Sequence, residues 1–263
     1  MRRILFAALT LAAAVACLTT TAPPARAADE PIKLLIITGD NVDSHKWAET
    51  TPVFEKFLTA SGKFKVDVTT TPAKDLTDEN LAKYDVLLLN YMDAKKTEGT
   101  VWSDANKKAF LKAVHDDGKG LVVYHFSSAA FARPNWAEFE RAVAGGWRTQ
   151  GFHGPGHEFA VKKTPVEHPI SKGLPACSKH ITDELYSASM RTPGSVVLAT
   201  AYSDPAKPQG TGMDEAIAWV SQYGKGRVFN CVLGHDAKSL ADAPAVEWFK
   251  RGAEWAATGK VSD

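Results

Sequence analysis

The stretch GKGLVVYHFSS, Gly118–Ser128, is the one from which the fold is read. Its centre, Leu121–Tyr124, is short, branched and apolar, with no polar alternation. A strand with one wet face alternates, whereas a strand covered on both faces is apolar throughout, as in parallel sheets. The run stops at His125, and Phe126-Ser127-Ser128 follows. Three other runs share this character: Leu34–Thr38 (LLIIT), Val86–Leu89 (VLLL) and Val228–Leu233 (VFNCVL). A further strand is expected at Lys65–Thr70.

Amphipathic stretches with helix signals lie between these runs. Thr50–Ala60 has Thr51-Pro52 at its start, and Ser103 is a good N-cap for a helix reaching His115. Trp136–Ala144 and Pro244–Ala257 complete the set. Strand–helix alternation of this kind specifies an α/β fold, a doubly wound parallel sheet with right-handed crossovers. Glu158–Tyr223 breaks the rhythm. EFAVKK, LYSASM, SVVLATAY and EAIAWVSQY are strand-like and separated by turn residues, which predicts an antiparallel extension of the sheet. Tyr223-Gly-Lys-Gly226 then returns the chain through a hairpin. No repeat, low-complexity tract or linker interrupts residues 28–263, so one domain is expected.

The first residues read differently. Arg2-Arg3, an apolar run from Ile4 to about Leu18 and Ala25-Arg26-Ala27 make a secretory signal peptide over residues 1–27. Export to the periplasm or medium is expected; anchoring of a lipoprotein through Cys17 and a twin-arginine signal stay open as alternatives. No later segment has the roughly 18 uninterrupted apolar residues of a membrane span. Without Arg2, Arg3 and Arg26, basic residues fall slightly below the 30 acidic ones, which gives no basic footprint for nucleic acid or an anionic membrane. Cys177 and Cys231 remain after cleavage, and a bridge and two free thiols are both open.

In open parallel sheets, ligands bind beyond the carboxyl ends of the strands. LLIIT is followed by Asp40, Asn41, His45 and Trp47, and VLLL by Tyr91 and Asp93. LVVY is followed by His125, and VFNCVL by His235-Asp236. Three of the four runs thus end near a histidine, in a chain with eight. Asp236 beside His235 is placed to fix a tautomer and raise basicity. Asp183-Glu184 precedes a strand, and a carboxylate there becomes an acid, base or ligand if it reaches the cleft. His168 reads as a turn residue, and His115 and His180 as solvated. In Gly145–His157 the glycines and Pro155 forbid a helix, so His153 and His157 make no helical zinc motif. A loop over the cleft fits better.

Two chemistries can be weighed. Ser127 or Ser128 at a strand–helix turn would resemble a nucleophile elbow, but the flanking glycines of G-x-S-x-G are missing. No mature cysteine sits there either, so a covalent mechanism is disfavoured. No cofactor is demanded by the sequence. A divalent ion such as zinc could be held by His125, His153, His235 and a carboxylate from separate loops, and the lack of thiolates would make it catalytic rather than structural.

Taken in order, several motifs resemble the trehalose-utilisation (ThuA-like) family. They are His45-Lys-Trp-Ala-Glu-Thr-Thr-Pro52, Gly118-Lys-Gly-Leu-Val-Val-Tyr-His125, Gly145-Gly-Trp147 with Phe152-His153, and His168-Pro-Ile-Ser-Lys-Gly-Leu-Pro175. Asp183-Glu-Leu-Tyr186, Gly224–Asp236 and the helix around Arg251-Gly-Ala-Glu-Trp-Ala follow. The resemblance spans about Lys33 to Gly259. It implies a flavodoxin-like, class I glutamine-amidotransferase-like three-layer sandwich without the amidotransferase nucleophile, and a role in carbohydrate metabolism. It also implies His153 in the site and leaves His157 behind it or on the surface. Lys46 stands where the family commonly has an acid, and Asn230 where it has an aromatic.

The combined expectation is a cleft for a sugar or keto-sugar. His125, His153 and His235 form its centre, with Asp236 and Glu184 as carboxylates and His45 at the edge. Asp40 and Asn41 line it, and Trp47, Tyr91 and Trp147 offer faces for a pyranose. The rival is a non-catalytic module that holds a glycan or partner, favoured if the imidazoles lie far apart and face solvent.

Overall fold

Tyr124 and Cys231 stand side by side in neighbouring parallel strands, and that register sets where the site forms. The structure, a computed structural model, describes residues 30–262 except 134 and 149; the expected signal peptide lies outside the described residues. Nine strands form one sheet. In chain order they are β1 (Ile32–Thr38), β2 (Phe64–Thr69), β3 (Val86–Asn90), β4 (Gly120–Tyr124), β5 (His157–Lys163), β6 (Cys177–Asp183), β7 (Val196–Tyr202), β8 (Asp214–Tyr223) and β9 (Gly226–Cys231). Across the sheet the order is β2-β1-β3-β4-β9-β8-β7-β5-β6.

The first five of that order are parallel. Their sequence is the flavodoxin-like order of a doubly wound sheet. The other four pair antiparallel, as the broken rhythm of Glu158–Tyr223 predicts. Thr38 pairs with Asn90, Leu89 with Val123, and Tyr124 with Cys231, so the carboxyl ends of β1, β3, β4 and β9 finish nearly level.

Helices cover both faces. Principal helices are α1 (Trp47–Ala60), α2 (Asp104–His115), α3 (Ala137–Ala142), α4 (Ala237–Leu240) and α5 (Ala243–Thr258). On one face Phe54 of α1 meets Tyr124 at 5.0 Å and Phe249 of α5 at 5.2 Å between ring centroids. Successive strand residues point to opposite faces, so Asn230, next to Phe229, points the other way. Its amide donates to Val143 O at 2.9 Å, and Trp219 Nε1 donates to Ala144 O, both just beyond α3. Three layers result, with the fully buried apolar strands as the middle one. Ser103 caps α2 through Asn106, as its position suggested.

The structure alters some boundaries. LYSASM is not a sheet strand, because Ala188 at φ +54° turns the chain. Tyr186–Ser187 and Met190–Arg191 instead pair with Phe152–His153 and Gly145–Gly146 in two small ribbons. The helix after Trp136 ends early, with Ala144 at φ +61°. Gly146 sits at φ +126°, and a methyl group there would lie 2.2 Å from Ser128 Cβ, so glycine alone lets this loop close on the turn after β4. Cys177 is exposed, Cys231 is buried, and both are free thiols. Among the described residues, no helix is long and apolar enough to cross a membrane.

Candidate functional site

Strand β4 ends in a strained turn. His125 takes φ +37°, uncommon for a residue with a side chain, and opens a short 3-10 segment, His125–Ala129. This is the sharp strand-to-helix turn at which hydrolases of this layout present a nucleophile. Here the residue is an imidazole, and Ser127 and Ser128 are committed elsewhere. Ser127 Oγ accepts from Tyr91 N, and Ser128 Oγ donates to His125 O and accepts from Trp147 N. Burial pushes the Cys231 thiol up to about 12, so it is no nucleophile either.

His125 is fully buried, and its Nδ1 lies 2.6 Å from Val232 O. A carbonyl only accepts, so Nδ1 carries the proton and Nε2 is left with a free lone pair. Three more groups point at that lone pair. His45, from the loop after β1, lies flat on Phe126, with centroids 4.7 Å apart and 6° between planes. His235 leaves the turn after β9, and Glu184 follows β6. Ligand atoms of His45, His125, Glu184 and His235 all lie within 4.8 Å of one another. Glu184 Oε2 is 3.0 Å from His235 Nδ1 and 3.4 Å from His125 Nε2, while its other oxygen is 3.5 Å from His153 Nε2.

These approaches are close but are not aligned hydrogen bonds. His45 Nδ1, His125 Nε2, His235 Nδ1 and Glu184 Oε2 are buried, and none has an aligned partner among the described residues. Burial, with the neighbouring His125 and His235, brings His45 down to about 3. Burial alone would raise Glu184, but the His125 and His235 rings, whenever protonated, outweigh it and hold the carboxyl below its usual range. Contact with Glu184 pushes His235 up against the opposing effect of burial.

The geometry redistributes the expected roles. His45 is in the centre rather than at the edge, because α1 begins beside the turn and swings its preceding loop inward. His153, expected among the ligands, is half-buried just outside the four-membered cluster, against the far oxygen of Glu184. Asp236 is not the partner of His235. Its carboxylate caps α4 by accepting from Ser239 N at 2.7 Å, and it faces solvent.

Asp40 does not line the cleft either. It is buried and accepts from Lys95 N, Lys96 N, Thr97 N and the Thr100 hydroxyl, which ties the loop after β3 to β1. Asn41 is exposed beyond it. Tyr91 has no free face: it is buried against Trp102 and Phe131, and its hydroxyl donates to Thr100 O. Trp47 is half-buried at the start of α1. Trp147 keeps an accessible face, with its ring 5.5 Å from His153 and 4.6 Å from Tyr186.

Two residues escaped sequence reading. Tyr186 lies under the site, its ring 4.2 Å from that of His125. His180, expected to be solvated, is fully buried between Asp183 and Asp242, because β6 turns it toward α5. In a regular strand, residues three apart point to opposite faces; a register shift where β5 pairs with β6 brings His180 and Asp183 together, and nothing in the sequence marks it. A cavity of about 730 Å³ opens beyond Trp147, lined by Asp93, Lys96, Asn135, Glu140 and Arg148 among others, and a smaller one of about 240 Å³ flanks His235.

A family model described as trehalose utilisation matches residues 33–256. The chain belongs to the ThuA family. A ThuA-like protein from Parabacteroides merdae is 33% identical, over 89% of this chain and 92% of that one, with a TM-score of 0.76. Another from Bacteroides uniformis is 22% identical, over 91% and 98% of the two chains, with a TM-score of 0.70. A cytoplasmic protein of Salmonella typhimurium, 12% identical over 86% and 99%, shares the fold at a TM-score of 0.60. No curated protein matches. The ThuA assignment agrees with the motif order from His45 to the closing helix, and the cluster of His45, His125, Glu184 and His235 falls within the matched span.

Proposed function

We propose that this ThuA-family protein is an exported, metal-assisted acid–base enzyme acting on a sugar or keto-sugar. One observation carries the reading. Three imidazole nitrogens and a carboxylate oxygen converge, are buried, and satisfy neither one another nor any other described group. Buried polar atoms are normally paired, so such a cradle calls for a cation. The donor set fits. Imidazole and carboxylate suit zinc, iron, cobalt or nickel, with no thiolate to suggest a structural site. Ligands on one ion lie at most about 4.2 Å apart at ordinary bond lengths, so the 4.8 Å spread requires a small contraction.

His45, His125, His235 and Glu184 would hold the ion. Bound there, it would supply a positive charge that polarises a sugar carbonyl or hydroxyl oxygen. The protein's own groups do the rest. His125 is locked in the tautomer that presents Nε2 by its bond to Val232 O. His45 stays neutral, as a ligand must. His153, half-exposed beside Glu184, is free to take the proton from the carbon next to a carbonyl and return it at the neighbouring atom. Trp147 offers its face to the pyranose, and the polar cavity beyond it has room for the remainder of a glycoside.

The test is to strip the mature protein with a chelator, reload it with zinc, manganese or cobalt, and incubate it with 3-keto-disaccharides. Turnover should depend on the metal and vanish in folded His235→Ala. A fully active His235→Ala would sink the assignment, and tight sugar binding without turnover would return the rival binding module.

A further inference from the structure

Asp183 is buried and adjoins the cluster, yet it points away from it. Its Oδ1 accepts from Glu184 N and His235 N, each at 2.9 Å, and its Oδ2 accepts from Gly234 N at 2.7 Å. One carboxylate thus grips the backbone of both Glu184 and His235, which come from strands far apart in the sheet. His180 Nε2 meets the same Oδ2 at 2.9 Å, and His180 Nδ1 meets Asp242 Oδ2 at 2.7 Å. Carboxylates accept, so His180 donates from both ring nitrogens when protonated. Asp242 immediately precedes α5, and Asp242 Oδ2 also accepts from Ile181 N.

We propose that the chain running from half-buried Asp242 through buried His180 to buried Asp183 is the positioning device that holds Glu184 and His235 on one point, without itself touching substrate or ion. Its logic is geometric. Glu184 Oε2 and His235 Nδ1 can serve one ion only if their backbones keep a fixed separation, and Asp183 is the group bonded to both. A lone carboxylate accepting three amides could rotate between them. The imidazole behind Oδ2, itself braced from the head of α5, fixes which oxygen faces which amide. Supports behind metal ligands commonly alter affinity by about 10–100-fold when removed.

The proposal rests on the metal reading above for its functional consequence, so the experiment has a readout that does not. His180→Phe keeps a ring of similar size without donors. Asp242→Asn, milder and nearer the surface, guards against misfolding of the first. Each folded variant is titrated with Co²⁺ alone, and the His235 imidazole is followed by NMR in the metal-free protein. The expected result is a 10–100-fold loss of Co²⁺ affinity with a changed visible spectrum, a similar fall in kcat with KM within about threefold, and a displaced His235 resonance. Wild-type Co²⁺ affinity and an unmoved His235 resonance in both variants would overturn the proposal. If the wild-type protein takes up no cobalt, the metal reading fails. The His235 resonance then decides alone: displaced, it supports the positioning role, and unmoved, it ends it.

Discussion

His235 Nδ1 stands 3.0 Å from Glu184 Oε2, and the two are not aligned as a hydrogen bond. A free imidazole and carboxylate at that distance would rotate into one, since an unpaired buried polar atom costs about 1–3 kcal/mol. They are instead held by their backbones, with His45 and His125 facing the same space. Ligand and proton-transfer roles should therefore separate by mutation. His45→Ala and Glu184→Gln should each lower Co²⁺ affinity by more than about 100-fold, beyond the cost of losing an outer support. His153→Ala should leave the affinity unchanged and lower kcat by about 10²–10⁴. Titration of the metal-free proteins and steady-state kinetics check both; equal loss of metal in all three would place His153 among the ligands.

Trp147 lies between the cluster and the larger cavity. Trp147→Ala should raise KM for a keto-disaccharide about tenfold, equivalent to about 1.4 kcal/mol of binding, with kcat little changed. That pattern marks uniform binding energy rather than transition-state chemistry. A fall in kcat at constant KM would remove Trp147 from the substrate platform.

Acid stability should depend on Glu254. Its carboxylate takes a 3.0 Å ion pair from Lys63 and hydrogen bonds from Ser262 N and the Ser262 hydroxyl. Burial alone would raise it, but the Ser262 bonds and Lys63 outweigh burial and lower it. A depressed folded value means stability that is present above the ordinary carboxylate value of about 4.3 and lost as pH falls through the lowered one. Glu254→Gln should lose about 1–2 kcal/mol at neutral pH and show a flatter acid limb in urea melts between about pH 5 and 2. An unchanged limb would contradict the pairing.

Gly252 of α5 touches the sheet directly. A methyl group there would lie 2.1 Å from the Phe229 ring. Gly252→Ala should cost about 1–3 kcal/mol by overpacking and lower Tm, with Co²⁺ affinity unchanged in the folded protein. This variant also separates loss of stability from loss of the site.

The layout was legible because burial on both faces leaves a mark in the chain. LLIIT, VLLL, LVVY and VFNCVL are apolar throughout, and the residues that end them, with His125 and His235 next in line, follow from where each run stops. Expected roles failed where a side chain's direction decides its use. Asp40 and Tyr91 occupy strand-end positions as surely as His125, yet Asp40 turns to cap a loop and Tyr91 turns into the core. Asp236 adjoins His235 in the chain but caps a helix instead, and His180 looks solvated until β6 faces it toward Asp242. Local patterns of apolarity suffice to specify the parallel strands, their helical layers and the histidines at the carboxyl edge of the sheet. It takes the packing of distant segments to make His45 rather than His153 complete the cluster, Glu184 close it and Asp183 brace it. Those contacts join residues dozens to more than a hundred positions apart, and their distances are set by strand register and by the turns that leave the sheet.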